Sequence, residues 1–321
     1  MNKPELFVIR KDLPSRQNKI LIMLSFIIPF SLWCIISYVP FVWHPMMKIT
    51  DAGDVSFFQK DMLTKKNVFF AQNEIIKNKG LKEAKGIPAN PIYLPAPHKV
   101  AISFVKSFFT HPTRANEPWL YQNLLHSIYI IFLGFFISSI IGIPLGILCG
   151  TYKFFSNLIE PFTEYFRYLP APAFGALAVA VLGINDGPKI AIIFIGTFFQ
   201  EVLVIANTTR RLDISLIEAS QTLGAKKFTI VRTVIIPGIL PDLYRDIRIL
   251  LGWAWTYLIV AEVVGISSGI TWFINQQAKY RNFDKVYAGI LTIGIIGIIS
   301  DMLLAKLGKH LFKWENTNIK K

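Results

Sequence analysis

The sequence predicts an all-α integral membrane protein with six transmembrane helices, on three observations. Of its 321 residues 53% are hydrophobic and only 17% charged, against about 25% charged in a typical soluble domain. The apolar residues come in long blocks. Lys and Arg gather in alternate connections between those blocks.

Ile20–Trp43 holds 24 residues without a charge, more than the ~20 that cross a hydrocarbon core. It is too long for the apolar region of a signal peptide and lacks a small-x-small cleavage site, so it is expected to be retained as the first span, 20–43. The second block, Leu124–Cys149, is also uncharged and holds Gly134, Gly142 and Gly146, small residues that let helices approach closely. Two weaker blocks follow, Tyr168–Leu182 and Ile190–Ala206, short, rich in Ala and Gly, and broken by Pro170 and Pro172. Ile249–Ile266 and Val286–Leu304 complete the six.

Charge supplies the direction. The N-terminal stretch 1–19 carries Lys3, Arg10, Lys11, Arg16 and Lys19. The connection between blocks four and five carries Arg210, Arg211, Lys226, Lys227, Arg232 and Arg245, and the end of the chain Lys306, Lys309, Lys313, Lys320 and Lys321. Six spans put all three on one side, the cytoplasm, with both termini inside a cell inner (plasma) membrane. The loop 268–285 dissents mildly, with Lys279, Arg281 and Lys285 on the other side. The net charge of +14 is read as this asymmetry; no aromatic-basic RNA motif or zinc finger accompanies it, so no nucleic acid is expected. Cys34 and Cys149 sit in apolar runs and suggest neither a disulfide framework nor a metal site.

Residues 44–123 are expected outside. They divide into a polar, Lys-rich insert, 50–91, and an amphipathic helix, 98–110, lying on the membrane surface. Residues 124–308 form the core, and 309–321 a cytoplasmic tail.

The stretch 210–245 reads RRLDISLIEASQTLGAKKFTIVRTVIIPGILPDLYR. Ser215 and Glu218 fit an S-x-x-E capping box, which starts a helix near Leu216. Gly224 suits the left-handed residue that ends it. A second amphipathic segment, Lys226–Ile235, should stop before Pro237. The expected result is a cytosolic helix–turn–helix element.

Glu218-Ala219-Ser220, three residues, Gly224, nine residues, then Val234-Ile235-Ile236-Pro237 resembles the cytoplasmic signature of ABC importer permeases: E-A-A, three residues, Gly, nine residues, I-x-L-P. The departures are Ser for Ala, Val for Ile and Ile for Leu. The segments 167–184, 237–265 and 283–301 look like the nitrate/sulfonate/taurine/bicarbonate-type branch, and the resemblance covers roughly 92–314, leaving the insert outside. It implies a five-helix, MetI-like permease core in spans two to six. It also implies that Glu218, Ala219, Ser220, Gly224, Ala225 and Pro237 belong to an element that docks on a separate ABC ATPase. The expected partners are that ATPase, an external substrate-binding protein and a second copy of the permease. No cofactor is expected on this chain, ATP being bound by the partner.

Two other classes compete. Gly265-Ile266-Ser267-Ser268-Gly269 matches G-x-S-x-G, the nucleophile-elbow pattern of a serine hydrolase, here an intramembrane serine protease; His310, the one His that follows, falls on the opposite side of the membrane from Ser267, whereas His44, His98, His111 and His126 are expected on or near its side. A secondary transporter would need coupling groups within the spans. The absence of a G-x-x-x-x-G-K-[ST] loop places any ATPase on another chain. Glu201, Glu262 and Asp301 fall in or near spans, where a charge costs ~2.5–3.5 kcal/mol on insertion scales, so each should find a partner. Glu201 is expected to pair with Arg167. Gln200 and Glu262 complete the polar candidates for structure or pathway.

Overall fold

The computed structural model describes residues 13–39, 41–112, 118–264 and 268–314. The charged residues expected at the two ends, Lys3, Arg10, Lys11, Lys320 and Lys321, lie outside them, as does Ser267 of the elbow pattern. The chain forms two compact units, 1–106 with 277–288, and 107–276 with 289–321.

The first unit begins with helix α1 (Ser15–Tyr38). Then comes an antiparallel three-stranded sheet in the order β2-β1-β3, made of β1 (Met46–Asp51), β2 (Leu63–Lys65) and β3 (Lys85–Ala89), with α2 (Lys66–Asn78) between the last two strands. Met47 and Ile49, two apart on β1, bury the same face, as the period-two geometry of a strand requires. Val55, Phe58, Phe69 and Ala84 complete a small apolar core. Asn73 locks α2 to the residue just before β3: its amide donates to the Ala84 carbonyl at 2.8 Å and its carbonyl accepts from the Ala84 N–H at 2.9 Å. The polar insert is therefore a folded α/β element within an otherwise helical chain, and its strands run from 46 to 89. Helix α3 (Pro97–Phe109) covers most of the stretch 98–110.

The second unit is helical. Helix α4 (Leu120–Thr151) is followed by α5 (Lys153–Arg167), α6 (Gly175–Leu182) and α7 (Gly187–Arg210). The fourth block is thus a full 24-residue helix. The third block, 168–182, holds a short 3-10 turn at Ala171–Phe174 and α6; α5 lies wholly before it, and the two arms bend by 88° across the break at 168–170, which contains Pro170. After α7 come α8 (Ile214–Thr222), α9 (Lys227–Ile230), α10 (Ile236–Ala261), α11 (Ile270–Lys279) and α12 (Phe283–Leu311). By length and composition α1, α4, α7 and α12, among the described residues, can each cross a membrane; the bent pair α5/α6 is apolar enough for a fifth, broken span or a re-entrant loop. Helix α10 has the length, 26 residues, but carries Asp242, Arg245, Asp246 and Arg248 in its first half.

Helices α4 and α7 pack most intimately. A Cβ added at Gly134 would meet Ile193, at Gly142 Glu201, at Gly146 Ile205, and at Gly150 Thr209. The partner lies 59 positions ahead each time, so the two helices run parallel and in register. Segment 152–186 must therefore return the chain to the side on which α4 begins.

Candidate functional site

The motif at 210–245 folds more tightly than its sequence suggested. The cap of α8 is Asp213, whose carboxylate accepts from the Ser215 N–H at 3.0 Å. That hydrogen bond holds the Asp213 carboxyl below the usual carboxylate range. The helix thus starts at Ile214, and the Ser215/Glu218 box does not form, because Asp213 is already extended one residue upstream and reaches the free N–H first. At the other end Gly224 sits at φ +79°. Its N–H donates to the Gln221 carbonyl at 2.9 Å, and the Ala225 N–H to the Ser220 carbonyl at 3.0 Å. These are the two bonds of a Schellman turn.

Pro237 does not end the next segment. The backbone stays helical from Lys227 to Ala261, passing through a π turn at Val231–Ile235. The wider turn lets the chain accommodate a residue that has no N–H to donate.

Apolar side chains fix this element to the helix ends. Ile230, Ile235 and Ile239 pack with Ile147 of α4 and Ile205 of α7, and Ile217 and Ala225 pack against that cluster. Glu218 and Ala219 are exposed, Ser220 is half-buried, and nothing lies within 4 Å of a Cβ built on Gly224. Around this low surface stand two apolar side chains in the open, Leu223 at 87% and Phe228 at 75% exposure.

The intramembrane acids each find partners, though not all the expected ones. Glu201, fully buried on α7, accepts from Ser138 Oγ at 2.7 Å. Arg167 is elsewhere: it donates to Tyr168 Oη at 2.9 Å and lies over that ring. The Glu201–Arg167 pair does not form, because Arg167 ends α5 on an exposed turn while Glu201 is sealed against α4. Gln200, next on α7, is half-buried. Asp301 of α12 takes two hydrogen bonds from the Arg248 guanidinium of α10, at 2.8 and 3.1 Å.

Glu262 caps a helix. Its carboxylate accepts from Ser127 Oγ and from the Thr271 N–H. Ser127 Oγ also accepts from the Ile270 N–H at 2.8 Å, and Asn123 Oδ1 from the Gly269 N–H at 3.2 Å. Three side chains from α4 and the end of α10 thus satisfy three consecutive N–H groups at the start of α11, where a helix also favours negative charge. Beside them Lys189, with no exposed surface, donates to Ser268 Oγ at 2.7 Å and pairs with Asp186 at 3.1 Å. Asp186 also hydrogen-bonds His126 at 2.9 Å. Burial works against ionisation of Asp186, but the bonds from His126 and Lys189 outweigh it and hold its carboxyl below the usual range. Sequence reasoning missed Asn123, His126, Ser127, Asp186 and Lys189. The one signal available was a Lys, Lys189, opening an apolar block.

Residues 142–313 match the family of binding-protein-dependent transport system inner membrane components. An ABC transporter permease protein of Brucella abortus is 34% identical over 61% of this chain and 78% of its own length. An aliphatic sulfonates transport permease protein of Bacillus subtilis is 31% identical over 70% and 79%. In fold, the permease of the inward-facing MetNI methionine ABC transporter superposes with a TM-score of 0.50 at 21% identity, covering 60% of this chain and 94% of that one. The chain belongs to the binding-protein-dependent inner membrane components: it is the permease subunit of an ABC importer, a transport subunit whose ATPase is a separate polypeptide.

Proposed function

We propose that α8, the Schellman turn and the helix beginning at Lys227 form the surface on which the ATPase subunit docks. The carrying observation is the pair of exposed apolar side chains, Leu223 and Phe228, flanking a Gly224 with open space above it. A monomeric soluble loop gains nothing by presenting them; a partner groove does. The element is rooted in Ile147 and Ile205, so closure of the ATPases moves the ends of α4 and α7 directly. Two copies of the chain form the pathway, which alternates between outward and inward access. The Lys and Arg clusters support six spans with both termini cytoplasmic, α10 being the sixth. The sulfonate-transporting relative points to a small sulfonate or similar oxyanion as cargo, delivered by an external binding protein.

Leu223→Asp tests the docking surface. It should leave the chain in the membrane at normal abundance and abolish co-purification of the ATPase. Gly224→Ala should cost only the ~1 kcal/mol of a left-handed backbone, while Gly224→Asp also places a charge in the groove and stops transport. Undiminished ATPase binding by both Asp variants would overturn the reading. For orientation, single cysteines at Lys79 and Lys226, with Cys34 and Cys149 replaced, should label from opposite sides of the membrane. Labelling of both from outside would rule out six spans.

A further inference from the structure

Three buried polar atoms of the first unit, Ser37 Oγ, His44 Nδ1 and Asn90 Oδ1, have no hydrogen-bond partner. Their residues line one cleft of about 730 Å³, enclosed by the end of α1, the strands, the start of α3 and residues 281–284. Ser37 is 5% and His44 8% exposed. Unpaired groups of this kind are few in a folded protein, and three in one cleft call for a shared explanation.

The charges around the cleft indicate what it takes. Lys48 and Asp61 pair at 2.6 Å and cancel. Asp284 accepts from Ser103 Oγ. His98 Nδ1 is engaged by Tyr38 Oη at 2.6 Å. Lys99 and Arg281 line the cleft and have no ion pair among the described residues. Once the internal pair is set aside, two cations stand against one carboxylate. Ser37 offers a hydroxyl and His44, in the tautomer protonated at Nδ1, an N–H. Asn90 Oδ1 is an acceptor and calls for a donor on the ligand.

We propose that this cleft binds a small oxyanion group bearing a hydroxyl or ammonium donor, carried by a free solute or by a phospholipid headgroup. Lys99 and Arg281 neutralise the anion at the rim, Ser37 and His44 donate to it below, and Asn90 accepts from the ligand's donor. The proposal depends on no reading of the transport cycle.

The test is local hydrogen exchange on the full chain assembled with its ATPase in nanodiscs. In phosphatidylcholine discs, 2-hydroxyethanesulfonate at ten times its midpoint should slow exchange in segments 41–48, 87–99 and 281–284 about elevenfold. Sodium chloride at equal ionic strength should not. If the headgroup is the occupant, phosphatidylglycerol discs give that protection without the sulfonate. The double variant Lys99→Gln/Arg281→Asn, whose Asn tolerates the φ of +58° at position 281, should lose protection in both arms. Unchanged exchange in the segments around Ile49 and Phe69 confirms that it is folded; should it fail to fold, Ser37→Ala should raise the midpoint severalfold. Equal protection by chloride, protection that survives both variants, or none in either kind of disc would overturn the proposal.

Discussion

Gly146→Ala places one methyl group into the seam between α4 and α7. The added Cβ would lie 2.7 Å from Ile205 Cβ and 2.9 Å from the Val202 carbonyl oxygen, where ordinary contact begins near 3.4 Å. Neither obstacle is a flexible side-chain end, so the helices themselves must part, by about 0.7 Å along this line. A gap of that size forfeits a quarter to a half of the dispersion energy of each contact it opens, and overpacking of a well-filled interior costs about 1–3 kcal/mol. At about 2–4 °C per kcal/mol for a unit of this size, the detergent-solubilised chain should melt several degrees lower. Gly294→Ala is the control: it is also mid-helix, and nothing lies within 4 Å of its added Cβ. That substitution should be neutral or gain up to ~1 kcal/mol of helix propensity. Melting curves followed by size-exclusion fluorescence decide the matter. If Gly146→Ala melts no lower than Gly294→Ala, the close approach of α4 and α7 is not what holds the core together.

Gly269→Ala should be more damaging, because φ is +101° and the new Cβ would collide with Glu262 Oε1; loss of the folded chain from the membrane is expected, and normal abundance would disprove the capping geometry. Asp51 is held below the usual carboxylate range by its hydrogen bond from Lys82, then by the Gly53 N–H, and Lys82 is raised in return. The pair therefore contributes stability above pH ~3.8 that fades as acid titrates Asp51, and stability below pH ~10.5 that fades as base titrates Lys82. Pepsin cleavage within 51–85 should accelerate as pH falls from about 5 to 2, and Asp51→Asn should flatten that dependence. Excising 46–89 and joining the ends with two residues should leave insertion and ATPase assembly intact, because Met46 and Ala89 are paired across the sheet, about 5 Å apart. A pull-down that fails to recover the ATPase would show that the element is needed for assembly.

The uncharged blocks that fall in α1 and α4, 20–43 and 124–149, were legible at once, and so was the spacing from Glu218 to Pro237. What escaped is instructive. The insert seemed merely polar because its three strands are short and only Met47 and Ile49 alternate cleanly; its core depends on Phe58, Phe69 and Ala84 arriving from elsewhere. The cap of α8 was assigned to Ser215 because a capping box is a four-residue pattern, whereas a lone Asp213 in extended backbone leaves none. Pro237 signalled a stop that a π turn removed. The hydrogen bonds joining Lys189 to Ser268 and His126 to Asp186 link residues 79 and 60 positions apart, which no local pattern records. The pairing of Glu201 with Arg167 failed for the same reason: shared depth in the membrane does not place two side chains on facing surfaces.

The register of α4 against α7 has a mechanical consequence. With Gly134, Gly142, Gly146 and Gly150 each seated on a fixed partner, the two helices cannot slide past one another except in whole notches, and so they behave as a single stiff beam. One end of that beam, Gly150 and Thr209, borders the cavity beside α8; near the other, Asn123 and Ser127 hold the start of α11. Helix α4, at 32 residues, is about 48 Å long. A tilt of roughly 10° about its middle would displace each end by about 4 Å, enough to carry a push applied beside α8 to the opposite end as leverage, with no change of shape required in between.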